Sequence, residues 1–195
     1  IDVSLIGLGT VEAENAKKAA RGVTFQYILS TFWEHLDINL SDPILSDIRV
    51  RKALFYAIDN NEINNKVHRG SRRVSTTHYF LEGPLTRPLH QVPTYNPAEA
   101  KKLLDEAGWK VGADGYRYKD GKKLTLEIST TTRQDRIDEA VVIQKQLKDV
   151  GIDIQLKFLS STYFFGTYCT RRMFQLALFA WGGDPLEPSG YTIWH

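Results

Sequence analysis

At 195 residues with 42% hydrophobic side chains, the chain carries enough apolar material for one respectable core or two small ones. Its 25 basic and 23 acidic residues nearly cancel and are spread along the whole length, which argues against a face built for nucleic acid or an anionic membrane. A single cysteine, Cys169, excludes a disulfide framework and a cysteine-rich metal centre, and no apolar run approaches the roughly 18 residues of a membrane-spanning helix.

The chain opens at Ile1 rather than at a methionine and runs straight into an apolar strand at residues 3–6, so it reads as a segment of a longer polypeptide. Residues 10–20 (TVEAENAKKAA) have helix-forming composition with Thr10 as the N-cap. Residues 24–30 and 32–40, rich in aromatic and β-branched side chains, predict two strands. Over residues 46–58, Val50, Leu54, Ala57 and Ile58 fall on one stripe, which predicts an amphipathic helix capped by Ser46. Asp59 and the two asparagines after it cap a short helix over residues 62–68, stopped by Gly70.

Residues 70–95 lack periodicity and end in a proline-rich stretch, which predicts a long surface loop. Asn96 followed by Pro97 is an N-cap and first-turn pair, and the helix they start ends at Gly108. Asp120-Gly121 suits a tight turn, with residues 116–118 and 124–129 as the arms of a hairpin. A helix over residues 133–150 follows, then a strand at 152–159, a helix near 162–171 and a last strand at 174–181. The alternation of strands and helices predicts an α/β fold, an open mixed sheet flanked by helices.

Gly7-Leu8-Gly9-Thr10 imitates the start of a dinucleotide fingerprint, but Glu12 stands where the third glycine belongs, and a carboxylate in the first helical turn would repel a phosphate. The five histidines show no metal-ligand spacing, no serine sits in a nucleophile elbow, and no carboxylate pair is singled out as an acid and base. Neither a metal, a cofactor nor catalysis is therefore expected. Cys169 reads as helical filler, and Arg69, Arg72 and Arg73 as a solvated basic patch.

The segment with the sharpest chemistry is residues 179–188 (FAWGGDPLEP), where an apolar strand ends in a tryptophan, two glycines, an acid and a proline. Bare glycines let another backbone come close. If the strand continues past Trp181, the backbone groups of Ala180, Gly182 and Asp184 point one way, as needed to hold an extended peptide by strand addition, with Asp184 placed for an ammonium group. The pattern equally fits a plain turn in which Asp184 caps the next segment.

Residues 50–59 (VRKALFYAID) resemble a segment of the bacterial extracellular solute-binding proteins of the oligopeptide, dipeptide and nickel type, family 5. Further stretches follow in that family's order: WEHLDINL at 33–40, YNP at 95–97, AKKLLDEAGW at 100–109, DGK at 120–122, QLK at 146–148, GIDI at 151–154 and WGGD at 181–184. The resemblance implies a periplasmic-binding-protein type II lobe, with residues 1–195 forming the C-terminal lobe of a two-lobe receptor whose other lobe lies outside this sequence. It implies capture of a peptide or similar small-molecule solute between the lobes and delivery to an ABC permease in the membrane. It also implies a periplasmic or cell-surface location and a monomer.

By matching position, it assigns Asp184 to the peptide ammonium and Ala180, Gly182 and Asp184 to the peptide backbone, with Trp181 and Gly183 in the same segment. Leu178 stands where some oligopeptide binders carry an arginine for the ligand carboxylate, so Arg133 is taken as the candidate for that contact, with Arg171 and Arg172 behind it. Relatives bind sugars, nickel chelates or opines on the same frame, and these remain alternative ligands; a small α/β hydrolase is the alternative from another class.

Overall fold

The computed structural model describes residues 10–22, 24, 32–72, 74 and 94–182. The strand expected at residues 3–6, all but Thr24 of the one expected at 24–30, the glycine pair near Gly7, and most of the 70–95 loop lie outside them. So do Gly183 and Asp184.

The main sheet has four strands in the order β1-β7-β5-β6, where β1 is Phe32–Ile38, β5 Thr125–Thr131, β6 Asp153–Leu159 and β7 Leu176–Gly182. β5 pairs in parallel with both β6 and β7, whereas β1 runs antiparallel to β7, so the sheet is open and mixed. The parallel pairing of β5 and β6 requires a crossover, and α5, Gln134–Lys148, supplies it.

Helices α2 (Ile48–Ala57), α3 (Asn60–His68), α4 (Pro97–Glu106) and α5 lie on one side of the sheet, and α1 is Thr10–Ala19. Their apolar stripes meet the helix-facing residues of the strands in one core that includes Leu54, Leu104, Ile143, Leu147, Leu126, Ile128, Leu176 and Leu178. The opposite face is covered by a short helix α6, Ser161–Tyr163, which widens into a π-helical stretch, Phe164–Cys169. There Phe164 and Tyr168 pack on Ala177 and Phe179 in a second, smaller cluster.

The local signals hold with three corrections. Asp47, not Ser46, caps α2: its carboxylate accepts from Arg49 N, while the Ser46 hydroxyl donates to Pro43 O. The Asp120-Gly121 turn does form, with φ of 50° and 74°, but it joins Arg117–Lys119 (β3) to Lys122–Lys123 (β4) in a separate small sheet with Lys110–Val111 (β2). Leu124 ends that hairpin, because its N–H donates to Arg117 O while its carbonyl accepts from Asp153 N in the main sheet. The helix expected near 162–171 is the α6 and π-helical pair, a widening that periodicity does not foretell.

Arg117 fastens the small sheet to the main body. Fully buried, it donates through Nε to Val150 O and through Nη1 to Trp109 O and to the Asp105 carboxylate. Gly151 lies against its stem: φ is 90°, and an added Cβ would come within 2.9 Å of Arg117 Cγ and 3.1 Å of Gly115 O. Gly151→Ala is therefore expected to lower unfolding stability by about 2 kcal/mol or more, measured by urea denaturation, because backbone strain and a steric clash act together.

Candidate functional site

Strand β7 is longer than its neighbour. Its pairing with β5 ends at Leu178 opposite Thr130, whereas its pairing with β1 continues to Gly182 opposite Phe32. Gln175 O accepts from Asn39 N on the β1 side, and Leu178 O accepts from the Thr130 hydroxyl on the β5 side. With the two-residue period of a strand, the N–H and carbonyl groups of Ala180 and Gly182 also turn to the β5 side. Beyond Thr131 that side holds no strand among the described residues, because the chain leaves β5 for α5. The result is a short open ladder at the carboxyl end of the parallel strands, where open α/β sheets place their ligands.

The two faces at this end differ in chemistry. On the face covered by the π-helical stretch, Phe179 is buried between the rings of His35, Phe164, Phe165 and Trp181, at centroid distances of 4.6 to 5.8 Å. Trp181 lies at the rim of this group, across from Trp33. On the other face Phe32 lies over Gly182, where an added Cβ would meet its ring at 3.1 Å, so the bare glycine makes room for the ring.

Tyr168 anchors the π-helical stretch. Its hydroxyl donates to Glu127 at 2.7 Å and lies 3.1 Å from Ser129 Oγ, while Lys157 reaches the same hydroxyl at 3.3 Å. Burial raises the Tyr168 pKa, and the bond to Tyr168 is the main cause of a raised Lys157 pKa, so neither is activated as a base. Cys169, at the end of this stretch, is pushed up to about 11 by burial, which keeps it a thiol.

On the α5 side the rim is ionic. Arg133 occupies the N-cap position of α5, where its Nε and Nη2 lie 2.7 and 2.8 Å from the two oxygens of Asp135. Arg133 is thus engaged end to end by a carboxylate of its own chain. Asp135 also takes Arg72 at 3.0 Å, and Arg72 reaches Glu139 at 3.3 Å, so this arginine is ion-paired and not part of a solvated patch. Glu139 is held in turn by His68 Nε2 at 2.5 Å in a buried pair.

Sequence reasoning missed Arg136 and Glu34. Arg136, 8% exposed, donates through Nε to Glu34 at 2.5 Å and through Nη1 to the Thr131 hydroxyl at 3.2 Å. A signal was there: Arg136 begins the stripe continued by Ala140, Ile143 and Leu147, which marks a charged residue on a buried face. Burial raises the pKa of Glu34, helped by the charge of Glu139 and opposed by Arg136 and Arg72.

The architecture is an α/β one, an open mixed sheet with helices on both faces and an open strand end at its carboxyl side, and its class is that of the solute-binding-protein fold. The sequence profile of the bacterial extracellular solute-binding proteins, family 5 (middle region), matches residues 1–195, and the chain belongs to that family. It is 33% identical over 157 residues to the oligopeptide-binding protein AppA of Bacillus subtilis, covering 77% of this chain and 27% of AppA. It is 27% identical over 195 residues to OppA of Mycobacterium tuberculosis, covering 97% of this chain and 33% of OppA. The chain therefore spans about a third or less of these relatives' length.

The structure of AppA in complex with a nonapeptide superposes with a TM-score of 0.70 at 30% identity, over 84% of this chain and 33% of that one. NikZ of Campylobacter jejuni in complex with Ni(L-His) gives 0.72 at 27% identity, over 82% and 31%. The type II solute-binding-protein fold expected from the sequence is the fold observed.

Folded Glu34 keeps its proton at higher pH than the unfolded chain does, so folding takes up a proton above the ordinary carboxylate value of 4.5. That contribution to stability is fully present below the unfolded value and is lost as pH rises through the folded one. Denaturation midpoints of wild type and Glu34→Gln, measured from about pH 7 down to about pH 4.5, are expected to show wild type gaining relative to the variant on acidification.

Proposed function

We propose that this chain is the ligand-closing lobe of an extracytoplasmic receptor that captures an extended peptide and hands it to an ABC permease, without catalysing a reaction. The observation that carries the reading is the open ladder at Ala180 and Gly182, which presents paired donors and acceptors to a strand lying where β5 has ended. A peptide supplies such a strand, whereas a compact chelate or sugar does not use it. Trp181 flanks the ladder, and Gly183 and Asp184 continue the chain from its end.

In this reading Asp184 receives the peptide ammonium, and the second lobe, supplied by the longer polypeptide, completes the site. Ligand contacts with both lobes then favour the closed form, and the closed form docks to the permease. Membership of a family of extracellular solute-binding proteins supports the location outside the cytoplasm. Similarity to AppA, solved with a nonapeptide, supports the choice of cargo.

Calorimetric titration of the full-length receptor with a free-amine peptide and its N-acetylated form checks the assignment. Asp184→Asn is expected to weaken the free-amine peptide by about tenfold or more and to leave the acetylated one within about twofold. Equal losses for both would remove Asp184 from the ammonium role, and no binding of either peptide would remove the peptide reading itself.

A further inference from the structure

Arg136 is more than nine-tenths buried, yet its hydrogen bonds among the described residues use only Nε, to Glu34, and Nη1, to Thr131. Nη2 has no partner there, and among the described residues the fully buried side-chain nitrogens or oxygens without one are His35 Nε2 and His68 Nδ1. Nη2 is not one of them, which leaves it within reach of solvent and able to donate. The strand register locates it. Glu34 is the cross-strand partner of Ala180 on β1, Thr131 ends β5, and β7 runs between those two strands. Bonds to both Glu34 and Thr131 therefore carry the guanidinium across the end of β7, at the level of Ala180.

We propose that Arg136 receives a carboxylate of the ligand, an acidic side chain or a terminal carboxylate lying on the α5 side of a strand added beside Ala180 and Gly182. The assignment rests on the peptide reading above and deepens it by naming the chemistry one face of the ligand must carry. Guanidinium is suited to it, because beyond the single Nε bond to Glu34 its planar fork carries further N–H groups that can meet another carboxylate. Arg133, the arginine that position alone favours, has its fork closed by Asp135.

Glu34 sets the strength of this anchor. Ionised, it neutralises Arg136; protonated, it leaves the guanidinium charge to the ligand. The charged groups around Glu34 are Arg136 and Glu139 on α5 and Arg72 just beyond α3, with His68, Asp135 and Arg133 completing the chain of ion pairs outward.

The test is calorimetry on the full-length receptor with three peptides: one with a free C-terminus and an interior Glu, its C-terminal amide, and the amide with Gln in place of Glu. In wild type, loss of the carboxylate held by Arg136 is expected to raise Kd by at least about tenfold, and the step at which it rises tells a terminal carboxylate from a side chain. The double variant Arg136→Met with Glu34→Gln leaves no buried charge unpaired and should bring the three peptides within about twofold of one another. Glu34→Gln alone should widen the wild-type gap. On acidification from neutral pH the gap should widen in wild type as Glu34 takes up its proton, and stay constant in that variant. Equal affinities in wild type, or a gap retained in the double variant, overturn the role of Arg136. Failure of all three peptides to bind wild type overturns instead the ladder on which the proposal rests.

Discussion

Everything at the candidate site follows from a mismatch in strand length. β5 stops at Thr131 because the chain must turn into α5 to make the parallel crossover to β6, while β7, paired with antiparallel β1, runs on to Gly182. A strand with one neighbour keeps half of its backbone donors and acceptors unsatisfied, and buried polar backbone groups demand partners. Such a deficit is one that an added strand could fill. The helix crossover that shortens β5 also brings the first turn of α5, with its charged side chains, beside the gap.

Those side chains form one linked electrostatic assembly, buried at Arg136, Glu139 and His68 and opening to solvent at Arg72 and Arg133. Glu34, Glu139 and Asp135 face Arg136, Arg72 and Arg133, with His68 behind Glu139. Exposed ion pairs contribute little, but pairs withdrawn from water are strongly coupled, and removing one member leaves a costly charge behind. The coupling is visible at Glu34, where burial and the second carboxylate outweigh the nearby guanidinium. On the opposite face the same strand end is set in aromatic rings, and Tyr168, through Glu127, Ser129 and Lys157, ties the π-helical stretch that carries them to the sheet. An added strand would thus meet ionic chemistry on one side and apolar chemistry on the other.

Local order in the chain was legible because its causes are local. Asn96 and Pro97 start a helix by satisfying or removing orphan N–H groups, Asp59 does so for α3, and the stripe of Val50, Leu54 and Ala57 on α2 follows from a 3.6-residue period. The family resemblance was legible for the same reason, since its motifs are contiguous runs, and the matched profile spans the same residues. Three local readings were corrected by contacts from a distance. The hairpin arm expected over 124–129 belongs to the main sheet because Leu124 bonds toward Asp153, Arg72 is drawn off the surface by carboxylates on α5, and α6 widens where Tyr168 is pinned to the sheet.

The sequence alone predicted a strand over residues 174–181 running into small residues, and a strand over Leu176–Gly182 forms, because its apolar run and its glycines act locally. It had no means of choosing among arginines. Arg133 and Arg136 sit one helical turn apart, and their chemistry is identical until the fold surrounds them. Tertiary structure closes one against Asp135 and lays the other between Glu34 and Thr131. The length of β5 relative to β7, and with it the open ladder, was likewise decided only when strands distant in sequence came into register, since a hydrogen bond left unmade is a property of the pair and not of either strand.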